Sequence, residues 1–214
     1  MALRHQPRLY EGYHRLLRDH YDWRKSEARL NAFANFRANV DGQTFHFILE
    51  RASDADAPAL ILTHGWPGSV VEFVEVIEKL AHPERFGGDA RDAFTVVVPS
   101  LPGYAFSTPL KNPLAPRDVA RLWHALMTRH LGFQTFFAQG GDWGAMVTSW
   151  LAYDFPDAVK AMHLNQVGFD ATGDKTTPHD AEETAWIEAN LKRRALETGY
   201  IMVQAPSRCR SPMG

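Results

Sequence analysis

The sequence predicts an α/β protein, a mostly parallel sheet with helices on both faces, preceded by a short helical N-terminal region. Three observations carry this reading. Residues 59–63 are a continuous apolar run of the kind found in strands buried on both faces, 94–99 read as the next buried strand, and 135–139 and 159–164 read as a third and a fourth. Stretches with apolar residues at helical spacing alternate with them, the rhythm of a parallel sheet wrapped by helices. A glycine-rich turn, Gly140-Gly141-Asp142-Trp143-Gly144, sits at one of the strand-to-helix junctions.

The opening reads as an amphipathic helix, because Leu9, Tyr10, Tyr13, Leu16 and Leu17 recur at helical spacing. Tyr21-Asp22-Trp23-Arg24 breaks it, and a second short helix covers 27–31. Residues 33–40 and 43–50 alternate as strands do around Asp41-Gly42, a strong hairpin signal. A polar loop follows, ending at Pro58.

After the strand at 59–63, Ser69 is placed to cap a helix and Glu72 to complete a capping box. Val70, Phe73, Val74 and Ile77 form the inner stripe of that helix. A helix over 117–130 turns Val119, Leu122, Trp123 and Leu126 inward and stops at Gly132. The helix after the glycine-rich turn packs Met146, Val147, Trp150 and Leu151 and ends at Pro156. Residues 168–180 read as loop, 181–197 as a charged helix, and 205–214 as an unstructured tail.

Composition narrows the function classes. Of 214 residues, 45% are hydrophobic, which suits a single domain with a sizeable core. A net charge of -2 lacks the basic footprint of a nucleic-acid binder. The apolar runs fall far short of the ~20 residues needed to span a bilayer. Residues 1–8 are basic but lead into no apolar stretch, so they do not read as a secretory signal. One cysteine, Cys209, excludes an intramolecular disulfide and points to a reducing compartment, so a cytoplasmic location is expected.

The chemistry is concentrated in three segments. Small-x-nucleophile-x-small between strand and helix is the pattern of a nucleophile elbow, with Gly140 and Gly144 leaving room for a sharp bend. Asp142 holds the central position. A carboxylate there is nucleophilic without a base and gives an ester on attacking an alkyl carbon. The competing reading makes Asp142 an ordinary helix N-cap, and the motif alone leaves both open. His64-Gly65-Trp66-Pro67-Gly68-Ser69 follows the strand at 59–63, where a backbone amide of an oxyanion hole is expected. The two donors would be the amides of Trp66 and Trp143. His64, at the strand end, is better suited to orienting the loop than to acting as a base. The third segment, 99–107, is a turn shaped by proline and glycine.

The three segments, together with Tyr21-Asp22-Trp23-Arg24, Leu30-Asn31 and His46-Phe47-Ile48, resemble the microsomal-type epoxide hydrolases with their N-terminal domain. The resemblance implies an α/β-hydrolase fold. It also implies attack by Asp142 on a small-molecule epoxide, hydrolysis of the ester to a vicinal diol, and no metal or organic cofactor. Gly65 and Pro67 belong to the matching motif. Ala105 stands where the family has glycine, read as a small change.

The family's remaining catalytic groups, tyrosines of a lid and a late histidine oriented by an acid, have no counterpart in this chain. His163 and His179 do not match the base, and Asp170, Asp174 and Asp180 come too early for the acid. Tyr200 matches a segment near the lid, with no ring-opening role assigned to it. A C-terminally truncated, incomplete α/β-hydrolase fold is therefore expected. Its parts are a partial N-terminal region and hairpin (1–50), a core (51–165), the start of a lid region (166–205) and an unmatched tail (206–214). Little turnover is expected, as are an open edge at the last strand and poor solubility. Two alternatives remain: a haloalkane or haloacid dehalogenase, which also uses an elbow aspartate followed by tryptophan, and a non-catalytic binding remnant. Oligomeric state is not readable from the sequence.

Overall fold

A computed structural model describes residues 7–110, 112–166 and 180–197. The chain divides into two compact units, Met1–Phe169 and Asp170–Gly214. The loop expected at 168–180 (Asp180 apart), His179, Tyr200 and the tail at 205–214 lie outside the described residues.

The first unit is built on a six-stranded sheet. Strands β1 (Asn35–Val40) and β2 (Gln43–Glu50) form the expected hairpin. Asp41 and Gly42 turn it with φ of 51° and 85°, the positive pair that a tight two-residue hairpin requires. β2 then pairs antiparallel with β4 (Thr95–Pro99). From β4 onward the sheet is parallel, through β3 (Ala59–Thr63), β5 (Phe136–Gly140) and β6 (Val159–Leu164). The order is β1-β2-β4-β3-β5-β6. The hairpin is thus part of the same sheet as the parallel strands.

One face of the sheet is covered by α4 (Pro116–Ala125) and α5 (Trp143–Asp154). Phe45 meets Trp123 edge-on with ring centroids 4.8 Å apart, and both are fully buried. Truncating such an aromatic costs about 3–5 kcal/mol. A π-helical turn at Leu126–His130 prolongs α4, and Gly132 stops it at φ 82°, as the sequence predicts.

Coverage of the other face differs from expectation. Val70, Ile77 and Ala81 pack on Ile48, Leu62, Val96 and Val98. The segment that carries them is not one helix but a 3-10 turn at Val70–Phe73 followed by α3 (Ile77–Ala81). Its stripe is mixed: Val70 and Ile77 are buried, while Phe73 and Val74 are half-buried. Over β5 and β6 this face is an open groove lined by Leu60, Phe137, Ala161, Met162 and His163. Helices nonetheless lie on both faces of the mostly parallel sheet, as the sequence predicts, with α3 packing on β2, β3 and β4. β6 stands at the edge of the described sheet and is exposed from Lys160 to His163.

Two further departures concern the N-terminal helices. α1 (Pro7–Asp19) forms, yet Tyr10, Tyr13, Leu16 and Leu17 are all exposed, so its apolar stripe covers no core. α2 spans Trp23–Asn31, starting earlier than expected because Asp22 caps it by accepting from the Arg24 N–H at 3.0 Å. In α5, Val147 and Leu151 are buried as expected, but Ala145 and Thr148 join them while Met146 and Trp150 are only half-buried. In the second unit the described element is α6 (Ala181–Glu197), the charged helix the sequence predicts.

Candidate active site

A sharp bend joins β5 to α5. Asp142 sits there with φ 53° and ψ -123°, a conformation that non-glycine residues rarely adopt and that costs of order 1–3 kcal/mol. Its glycine neighbours make the bend possible by packing too closely for side chains. A Cβ on Gly140 would lie 2.1 Å from the Gly144 carbonyl oxygen, and one on Gly144 would lie 2.0 Å from that of Thr63. Side chains at either position would force β5, α5 and β3 apart.

The orientation of the carboxylate bears on the two readings of Asp142. The residue occupies the N-cap position of α5 but makes no capping hydrogen bond to it. Its Oδ1 instead accepts from the backbone N–H of Trp66 at 2.7 Å. The loop holding that amide comes close because Gly65 lacks a side chain; a Cβ there would meet Asp142 Cβ at 2.5 Å and Oδ1 at 2.7 Å. The second expected donor, the amide of Trp143, is in the first turn of α5, where backbone N–H groups have no partner within the helix. The indoles of both tryptophans are exposed.

His64 fixes this loop from below. It is fully buried; Nδ1 donates to the Gly65 carbonyl at 2.9 Å and Nε2 accepts from the Leu101 N–H at 3.0 Å. Both ring nitrogens are thus used by backbone, and burial pushes its pKa down. Pro67 follows Trp66 through a cis peptide bond and lines the pocket. The third segment packs behind: Tyr104 lies 5.4 Å from the His64 ring, and its hydroxyl is pushed up by burial and by the charge of Asp142.

Asp142 and Trp66 line one pocket with three residues that the sequence reading did not place in a site: Glu72, Asn165 and Gln166. Asn165 packs so tightly on Gly141 that a Cβ there would lie 2.1 Å from its Oδ1. Glu72 retains part of the predicted capping role, since the Ser69 backbone stabilises its carboxylate, but the Gly65 backbone does so more strongly. Burial, above all, and the charge of Asp142 raise its pKa. Its dual position is the signal that a capping-box reading conceals. Among the described residues, no group of three or more His, Cys, Asp or Glu side chains could hold a metal ion. Nor is any described helix long and apolar enough to cross a membrane.

Comparison with known proteins agrees with this architecture. Residues 58–197 match the family described as alpha/beta hydrolase fold. The chain belongs to the α/β-hydrolase family. Residues 8–73 of this α/β-hydrolase match a second family, the epoxide hydrolase N terminus. A relative from Stigmatella aurantiaca, provisionally named an epoxide hydrolase, is 47% identical over 149 residues, covering 69% of this chain and 34% of its own. Epoxide hydrolase 1 of Sus scrofa is 39% identical over 153 residues, covering 69% and 34%. The structure of Aspergillus niger epoxide hydrolase aligns with a TM-score of 0.71 and 35% identity, covering 92% of this chain and 51% of the other. The α/β-hydrolase described here therefore spans about a third of these curated relatives and about half of that solved structure. A haloalkane dehalogenase variant from Bradyrhizobium elkanii, at 21% identity and TM-score 0.52, shares the fold alone.

Proposed function

We propose that this protein opens a small-molecule epoxide by attack of the Asp142 carboxylate on a ring carbon, giving an ester that water hydrolyses to a vicinal diol. The observation that carries this reading is the 2.7 Å hydrogen bond from the Trp66 amide to a carboxylate that does not cap its own helix. Oδ1 is held by that amide, so Oδ2 is the oxygen left to attack. As the new O–C bond forms, the ring C–O bond breaks and the alkoxide takes a proton from solvent, which the Asp142 acid left after ester hydrolysis gives back. Oδ1 then becomes the ester carbonyl oxygen, and the amides of Trp66 and Trp143 stabilise the charge that develops on it when water attacks. One such donor is worth about 3–4 kcal/mol to the step it serves. No metal or organic cofactor enters this chemistry, and the single cysteine favours a reducing, cytoplasmic setting.

A second reading rests on the tryptophan after the nucleophile: with Trp143 holding a halide, the same carboxylate would displace it from a haloalkane. Incubating the chain separately with styrene oxide and with 1-chlorobutane, and assaying diol and free halide, separates the two. The epoxide reading predicts 1-phenyl-1,2-ethanediol without chloride release. Chloride release without diol would overturn it.

A further inference from the structure

The amide that meets Asp142 is one half of a peptide unit whose other half is also engaged. The Trp66 N–H donates to Asp142 Oδ1 at 2.7 Å, and the carbonyl of that same Gly65–Trp66 peptide accepts from His64 Nδ1 at 2.9 Å. The other ring nitrogen, Nε2, accepts from the Leu101 N–H at 3.0 Å. An amide N–H can only donate and a carbonyl can only accept, so the two contacts fix His64 as the neutral tautomer with its proton on Nδ1. The ring is fully buried, and burial disfavours the charged form, which would have no lone pair for Leu101.

The pattern continues behind His64. The carbonyl of the Ser100–Leu101 peptide accepts from the Ser107 hydroxyl at 2.9 Å, and that hydroxyl oxygen accepts from the His46 N–H of β2 at 3.1 Å. Ser100, Ser107 and His64 are all buried. Five hydrogen bonds therefore run in series from β2 through the 99–107 segment and His64 to the nucleophile, and every donor points toward Asp142. Bonds aligned in this way polarise one another, so each makes the next donor stronger.

We propose that His64 is a positioning residue for ester hydrolysis: by donating to the Gly65 carbonyl it strengthens the Trp66 N–H as the donor to the developing oxyanion, and the Leu101 N–H selects the tautomer able to do so. This inference rests on the epoxide reading given above. It deepens that reading by giving the buried histidine and the 99–107 segment a task in the reaction without making either a base. In the step concerned, the attacking oxygen bonds to Cγ of Asp142 and the carbonyl electron pair moves onto Oδ1, where the Trp66 N–H waits. As the pair returns, the Cγ–Oδ2 bond breaks and the diol leaves with Oδ2. Removing one oxyanion donor costs about 10²–10³ in rate, and an aligned bond strengthens its neighbour by about 10–30%. Loss of the His64 link alone should then slow the step about two- to eightfold.

The test starts from the full chain alkylated with styrene oxide, with the ester on Asp142 confirmed by peptide mass. Transfer to pH 9 lets hydroxide attack the ester, so its loss reports on the oxyanion donors without needing a base, and the same ester in urea-unfolded chain gives the reference rate. Folded wild type should outpace that reference. His64→Gln, whose amide stands near Nε2 and offers no donor to the Gly65 carbonyl, should reduce the advantage about two- to eightfold. His64→Asn, whose Nδ2 stands near Nδ1, should keep most of it. Equal losses in the two variants would mark a purely structural residue and overturn the role, as would no loss in His64→Gln or no advantage in wild type. ¹⁵N NMR of the wild type checks the same claim without a substitution: the His64 proton should be on Nδ1, and a proton on Nε2 would overturn the proposal even if neither variant folds. A wild-type chain that forms no Asp142 ester would instead overturn the epoxide reading beneath it.

Discussion

The Trp66 backbone amide and the Asp142 carboxylate are 76 residues apart in sequence and 2.7 Å apart in space. The contact joins the loop after β3 to the elbow after β5, and neighbouring parallel strands bring those two loops together at one end of the sheet. It leaves the α5 N-terminus without a side-chain cap. A helix start of this kind normally gains about 1 kcal/mol from a capping aspartate. That foregone stability, added to a strained φ, is the cost to the fold that the proposed nucleophile role of Asp142 would account for.

Asp142→Gly should therefore raise the thermal midpoint while removing ester formation. Glycine adopts φ 53° without a steric penalty, so relief of about 1–3 kcal/mol of strain is set against about 1 kcal/mol of added chain entropy. Calorimetry on the two proteins checks the sign.

Ala105→Gly should stabilise the fold by about 1 kcal/mol, since alanine there has φ 44° and pays the left-handed penalty. The change from the family's glycine is small in volume but not in backbone energy. Urea denaturation reads the difference.

Acid should weaken the fold through two buried histidines. His46 donates from Nε2 to Asn35 Oδ1 and accepts at Nδ1 from the Ser100 hydroxyl. Burial, helped by the charge of Arg37, pushes its pKa down to about 4; burial also lowers that of His64. With the folded pKa depressed, the unfolded chain binds more protons between pH 6.5 and about 4, so stability falls as pH drops through that window. Urea midpoints at pH 7.5 and 5 should differ in that direction, and His46→Gln should reduce the difference.

The hairpin and the elbow were legible because each depends on a short local signal. Asp41-Gly42 names its turn, and the spacing of Gly140 and Gly144 names a bend that no side chain could share. The site's other members were not legible in the same way. Glu72 looked like a capping residue because its local pattern is that of one; its approach to Asp142 depends on how the 3-10 turn folds over β3. Asn165 enters the pocket only because β6 pairs beside β5. The exposure of Tyr10, Tyr13, Leu16 and Leu17 was equally hidden, since periodicity reports an apolar face but not what it meets.

The open groove over β5 and β6 should drive self-association. Met162 and its neighbours present apolar surface beside an edge strand, and such edges pair with other chains. Light scattering of the isolated chain should show mass rising with concentration, and Met162→Lys should lower it without shifting the thermal midpoint.

Peptide mapping by mass spectrometry after incubation with styrene oxide tests the nucleophile most directly. The wild-type chain should carry one added epoxide mass on Asp142, and Asp142→Asn should carry none. An unmodified Asp142 in folded wild-type protein that also releases no diol, or the same adduct persisting in Asp142→Asn, would contradict the assignment.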